Sequence, residues 1–427
     1  MKALIAAMGS HGDVLPIIAI GREMSARGHE VVFFANPHFR DYVIDAGFRF
    51  VPIGTLDEYI SNSSDFTKSN FKKSKRSPHY IDICLDYYHA MRAEIVAGQT
   101  IAISSNPFLC DAPHLLKETN DIKYAGIYIA PNAFWSNFKP ARLTPHWWID
   151  ADTPMLLKRA AWWTINKFYL DPNFTKPLNK VRAELGLRPL AHMFHSWVYE
   201  ADCVLAMFPE WFGLPQVDWP ANAILTGFPL DNKKHSPLPR QLLEFIEAGP
   251  APVAFSVGTA RAKNFFETSV AACRLVGVRG ILISDFAEQI PKPLPADIVH
   301  VEYAPYEALL PKLGAFVHHG GIGSTSQALR AGVPQLIRPV AYDQFDNSSR
   351  AVQLGVAREL LPEQYSVRSV ADALTRLMSD DQVRKQCRAI ASRFTTSNNN
   401  AIQVACDAIV SRCSLGAGLA PEPRIPC

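Results

Sequence analysis

His318-His319-Gly320-Gly321-Ile322-Gly323-Ser324-Thr325-Ser326-Gln327-Ala328 is the stretch on which the reading of this 427-residue chain turns. It stands directly between an apolar strand at 315–318 and a helix, so the order is strand, glycine turn, helix. Glycines let the backbone approach a ligand closely, and the free N–H groups of the helix start attract a diphosphate. On spacing alone the turn is a generic anion site or a tight turn without a ligand. The adjacent histidine favours the ligand.

The same rhythm runs outward in both directions. Apolar strands are expected at 252–257, 280–284, 297–303 and 333–340, with helices at 367–378, 381–394 and 401–412. The N-terminal fifty residues repeat it: strand 2–8, glycine turn, helix 14–27, strand 30–35, helix 37–46, strand 48–53. Strands without polar alternation, interleaved with helices, imply a parallel sheet covered on both faces. The fold class expected is therefore α/β, with two doubly wound Rossmann-like domains facing across a cleft. The boundaries read as 1–228, a polar and proline-rich linker at 229–250, a second domain at 251–395, and a C-terminal helix and tail at 396–427 that packs back on the first domain. Between residues 61 and 212 the pattern is less regular and rich in aromatics. These are core residues taken singly, but together they suit the wall of an apolar binding site, with Phe134, Trp135, Trp147 and Trp148 as candidates.

A formal net charge of +3 gives no broad field of the kind that holds nucleic acid. The local basic run Lys68, Lys72, Lys73, Lys75, Arg76 reads as a solvated loop, with attraction to an anionic membrane or an acidic substrate as the minor reading. Eight scattered cysteines without a C-x-x-C pair fit reduced thiols in a cytoplasmic setting. No stretch offers the roughly 18 uncharged apolar residues of a spanning helix, so any membrane association would be peripheral.

Two further segments carry chemistry. Asp343-Gln344-Phe345-Asp346-Asn347 follows the strand at 333–340 and could grip sugar hydroxyls; as a bare pattern it is equally a helix cap. Gly9-Ser10-His11-Gly12-Asp13 follows the first strand, and Asp13 is either the N-cap of a helix starting near Val14 or a catalytic carboxylate. Asp150-Ala151-Asp152 spells a metal-binding pattern, but its place in the Trp-rich insert makes chance the better explanation.

His319 through Ser324, Ala331-Gly332-Val333-Pro334-Gln335, Pro339 and Asp343-Gln344 together resemble the donor signature of family 1 glycosyltransferases with the GT-B fold. Within that family, residues 9–16, 208–212, 218–220 and 226–230 are similar to the bacterial rhamnosyltransferases of rhamnolipid synthesis. The resemblance implies an inverting transfer from a nucleotide diphosphate sugar, dTDP-L-rhamnose or a UDP-sugar, to a hydroxyalkanoyl-hydroxyalkanoate or another hydrophobic hydroxyl acceptor. It implies no cofactor and no metal. It also implies that His319, Gly320, Gly323, Ser324 and Thr259 bind the diphosphate, that Tyr303 stacks on the base, and that Asp343 and Gln344 hold the sugar. Asp13 would be the general base, with His11 the runner-up. Gln327 stands where plant members usually have Glu for the ribose. The alternatives are a UDP-glucose-type enzyme acting on a small hydrophobic natural product, a GT-B epimerase, a non-catalytic lipid-binding relative, and a dinucleotide oxidoreductase. The last lacks a full G-x-G-x-x-G and has Asn36 where an acid is needed.

Overall fold

The computed structural model describes residues 1–59, 80–194, 196–230, 237–258, 263–396 and 400–413. Thr259 and the basic run from Lys68 to Arg76 lie outside them. The first domain runs β1 (Lys2–Ala6), α1 (His11–Ala26), β2 (Glu30–Ala35), α2 (Arg40–Ile44), β3 (Arg49–Pro52), α3 (Tyr80–Arg92) and β4 (Thr100–Ser104). It continues with α4 (Ala112–Asn120), β5 (Lys123–Tyr128), α5 (Met155–Ile165), a π-helical stretch Asn166–Thr175, α6 (Lys176–Glu184), β6 (Cys203–Ala206) and β7 (Ala223–Leu225). Its strands form one seven-stranded sheet in the order β3-β2-β1-β4-β5-β6-β7, every pair parallel.

The second domain runs α7 (Arg240–Glu247), β8 (Val253–Ser256), α8 (Lys263–Val276), β9 (Gly280–Ile283), β10 (Ile298–Val301), α9 (Tyr306–Leu309) and β11 (Ala315–His318). Then follow α10 (Ile322–Ala331), β12 (Gln335–Ile337), α11 (Gln344–Gln353), β13 (Ala357–Glu359), α12 (Val367–Ser379), α13 (Asp381–Thr396) and α14 (Ala401–Cys413). Its sheet has six parallel strands in the order β10-β9-β8-β11-β12-β13.

Both sheets reverse their order once. The reversal lies between β1 and β4 in the first and between β8 and β11 in the second. At such a point the two connections leave in opposite directions and open a crevice at the carboxyl ends of the strands, where ligands of open α/β sheets bind. The segments that follow those four strands carry Asp13, Asn106, Gly258 and His319.

The domains are joined by packing as well as by chain. In α14, Ile402, Ala405, Cys406 and Ile409 share one core with Ile17, Ile20 and Met24 of α1, and Arg27 meets Asp407 at 2.5 Å. A second cluster mixes Phe208, Phe212, Trp219 and Phe228 of the first domain with Ile322, Ile337, Cys387 and Ile390 of the second. Beside it, Arg142 Nη1 reaches both carboxylate oxygens of Glu359 at 2.9 and 2.8 Å, and Arg350 bridges Asp346 and the Phe212 carbonyl.

Two expectations are corrected here. Helix α1 begins at His11, so Asp13 sits in its first turn and Ser10, with extended backbone, is the N-cap. Phe134 is fully buried, stacked on Trp219 and Tyr199 in the domain core, and is not part of an exposed wall.

Candidate active site

Asp13 is held from two sides. The backbone N–H and the hydroxyl of Ser10 both donate to Oδ2, at 2.8 and 3.0 Å, and the Asn106 amide donates to Oδ1 at 3.0 Å. Gly9 makes this possible: its φ is +122°, and a Cβ there would lie 2.4 Å from Asp13 Oδ2. Burial raises the Asp13 pKa above the ordinary carboxylate value, against the lowering effect of Asn106 and Ser10. A carboxylate raised in this way, yet oriented by donors, suits proton abstraction. Asn106, on the loop after β4, is the residue the sequence reading missed; a lone Asn in a loop carries no signal until the topology brings it to β1.

His11 points elsewhere. Its ring packs edge-on against His38, Phe39 and Tyr42, and burial and His38 lower its pKa. It shares no hydrogen bond with Asp13 among the described residues.

At the second switch point the two histidines divide. His318 is buried, its Nδ1 accepting from the Gly320 N–H at 3.0 Å, so that Nε2 carries the proton and donates to Gln335 at 3.0 Å. Its role is to fix the turn. The His319 ring lies against the backbone of Gly258 and Gly321; a Cβ would come within 2.8 Å of Cε1 from the first and 2.5 Å of Nε2 from the second. Burial pushes the His319 pKa down to about 4, and its Nδ1 is buried without a partner among the described residues. A neutral imidazole with a spare nitrogen is equipped to hydrogen-bond an anion. Gly320, at φ +89°, has no room for a side chain against Ile337.

Helix α10 presents its first-turn N–H groups to this crevice. Ile322 N is taken by Asp343 Oδ2 at 3.2 Å, while Gly323 and Ser324 follow it in the free first turn, and the space beside Gly323 is open. Asp343 thus caps α10 rather than its own helix, and Asn347 donates to the same oxygen at 2.7 Å. Burial, with the charge of Asp13 adding to it, drives the Asp343 pKa up to about 7. The carboxyls of the two domains therefore lie close enough to feel one another. Gln344 turns its Oε1 back to the N–H groups of Val340 and Ala341, at 2.8 and 3.1 Å, which leaves its amide nitrogen available. Tyr303, just beyond β10, is 71% exposed and offers an open ring face.

The fold has relatives. Residues 3–132 match the glycosyltransferase family 28 N-terminal domain, and residues 281–410 match the C-terminal domain described as erythromycin biosynthesis protein CIII-like. The chain has the GT-B fold of the glycosyltransferases it matches. It is 28% identical to the O-mycaminosyltylonolide 6-deoxyallosyltransferase of Streptomyces fradiae over 85% of this chain and 86% of that one. It is 26% identical to the sterol 3-beta-glucosyltransferase of Debaryomyces hansenii over 93% of this chain and 26% of that protein. The chain spans about a quarter to a third of the length of the fungal sterol glucosyltransferases it matches. The crystal structure of the kitacinnamycin glycotransferase superposes with a TM-score of 0.74 at 18% identity, covering 96% of this chain and 99% of that one.

The remaining candidate residues are less uniform. Trp135 lies tilted against Trp162 with ring centroids 4.2 Å apart, Trp147 approaches Trp162 at 5.8 Å, and Trp148 is 62% exposed. The indole nitrogens of Trp147 and Trp162 are buried without partners among the described residues. Asp150 is spent in a turn, accepting from Asp152 and Thr153. Asn36 closes its own turn onto His38 and Thr55. Among the described residues no helix is long and apolar enough to cross a membrane.

Proposed function

We propose that the chain transfers a hexose, with L-rhamnose from dTDP-L-rhamnose as the first choice, to a hydroxyl of a lipid-like acceptor with inversion at the anomeric carbon. The observation that carries this reading is the pairing of a raised, doubly oriented Asp13 with a glycine turn whose His319 keeps a buried, unpartnered ring nitrogen, each at the switch point of its own sheet. The acceptor oxygen attacks the anomeric carbon as Asp13 takes its proton. The bond from that carbon to the diphosphate oxygen breaks on the opposite face. The departing charge is met by the Gly323 and Ser324 N–H groups and by neutral His319, while Asp343 and the Gln344 amide hold the sugar and Tyr303 stacks on the base. Fixed N–H donors stabilise the departing charge without transferring a proton.

The deoxyhexose transferred by the Streptomyces relative supports a deoxysugar donor, and the sterol acceptor of the fungal relatives supports an apolar hydroxyl. The same fungal likeness favours a second reading, glucose from UDP-glucose onto a small hydrophobic molecule. The test is a donor and acceptor matrix of dTDP-rhamnose and UDP-glucose against a hydroxyalkanoate and a sterol, read as free nucleoside diphosphate. Release that needs both substrates supports transfer; release independent of acceptor contradicts it.

A further inference from the structure

Helix α5 and the π-helical stretch after it are amphipathic in the inverse sense. The row packed inward contains Lys158, Trp162, Asn166 and Leu170, with the Lys158 ammonium donating to the Ala151 carbonyl at 2.7 Å. The outward face carries Leu156, Leu157, Trp163 and Phe168, which are 79%, 51%, 58% and 66% exposed. A face of this kind on a water-soluble surface is uncommon and marks an interaction site. No second element of the described residues packs over it.

The charges on that face point to its occupant. Besides the inward Lys158, the segment 155–180 has four exposed cations, Arg159 and Lys167 on this stretch and Lys176 and Lys180 in α6, and one acid, Asp171. That acid is engaged by His192 at 2.7 Å and by Thr175 at 2.9 Å. Lys167 Nζ lies over the Trp163 ring, 4.6 Å from its centroid, and 5.5 Å from the centroid of Phe168, so a cation rests directly against the exposed aromatic pair. Exposed aromatics and leucines rimmed by uncompensated cations match the boundary between acyl chains and anionic headgroups.

From this arrangement we infer that the outward face of α5 and the π-helical stretch seats the protein on an anionic phospholipid bilayer, with Leu156, Trp163 and Phe168 entering the headgroup boundary and Arg159 and Lys167 meeting lipid phosphates. The contact is peripheral and needs neither donor nor acceptor, so it stands apart from the transfer chemistry. Its use to a lipid-modifying enzyme is that the acceptor need never leave the membrane phase.

Vesicle co-sedimentation tests it, with phosphatidylcholine alone and with phosphatidylcholine plus phosphatidylglycerol. The wild-type chain partitions onto the anionic vesicles about ten-fold better than onto the neutral ones, and added salt weakens the binding. The triple variant Leu156→Ser, Trp163→Ser, Phe168→Ser loses binding to both, and Arg159→Glu with Lys167→Glu loses the anionic preference. Binding of dTDP or UDP unchanged in each variant shows that the fold is intact. Absence of wild-type binding, or binding that survives in both variants, overturns the assignment. So does a dimer in sedimentation velocity that the triple variant abolishes while vesicles bind nothing, because the face then belongs to a second copy. None of these outcomes touches the release of nucleoside diphosphate in solution.

Discussion

Asn106 donates its amide hydrogen to Asp13 Oδ1 at 3.0 Å, and its own Oδ1 accepts from the Phe108 N–H at 3.1 Å. The second bond fixes the amide, so the first one orients the carboxylate from a different strand of the sheet. Asn106→Ala removes a bond that favours the ionised form, so the Asp13 pKa rises further above its ordinary value. The expected result is a turnover lower by roughly ten-fold and an acid limb of the rate profile displaced to higher pH. A kcat profile against pH on both proteins checks it; an unmoved limb means that the amide does not act on the base.

Burial holds His319 as a neutral ring. Its pKa of about 4 keeps it uncharged across the working range, so His319→Ala should weaken nucleoside diphosphate binding by about ten-fold, with the difference flat between about pH 6 and 8. Calorimetry with dTDP or UDP at both ends of that range reads it. A difference that shrinks with rising pH would indicate a charged imidazole.

Asp343 trades stability for its place in the cleft. Its folded pKa of about 7 lies above the unfolded value of 3.8, so the folded state holds the proton longer. The stability it contributes is present below the unfolded value and is lost as pH rises through the folded one. Asp343→Asn should therefore raise the melting temperature of the free protein by about 1–3 °C at pH 8, and by less at pH 4.5, while transfer activity falls. Thermal unfolding at the two pH values separates this from a general effect on packing, which would be equal at both.

Arg142 joins the domains through Glu359, the Ser349 hydroxyl and the ring of Phe345. Arg142→Met leaves Glu359 facing the interface unpaired, at a cost of about 2 kcal/mol by analogy with half-buried pairs. Chemical denaturation should show the loss, and KM for the donor should rise because β13 and α11 beneath the sugar site lose their tie. Unchanged stability would mean that the apolar cluster around Phe212 and Ile390 carries the interface alone.

What could be read from sequence followed the strength of the periodic signal. β2 and β11 have the expected limits, because EVVFFA and AFVH are unbroken apolar runs bounded by a charge or glycine on one side and a turn on the other. The helix after β2 came out as a 3-10 turn, Pro37–Phe39, followed by the short α2, since Pro37 and the Asn36 cap tighten its first turn. The strands β4 to β7 escaped because long inserts separate them and local composition there is dominated by aromatics. At the site, His319, Asp343 and Asp13 lie in glycine turns or at a helix start, where residue type and spacing speak. The Asn106 bond and the cross-domain influence of Asp13 on Asp343 depend on which strands are neighbours, and sheet order is not written in local pattern. Phe134 looked like a ligand-facing ring for the same reason: exposure is a tertiary property.

The most direct test of the account is the release of nucleoside diphosphate by the wild-type chain and by Asp13→Asn, each with donor alone and with donor plus hydroxyl acceptor, alongside calorimetric donor affinity. The account predicts acceptor-dependent release in the wild type, a fall of at least about 100-fold in the variant, and donor affinity unchanged within about two-fold. Equal release by the two proteins would contradict it.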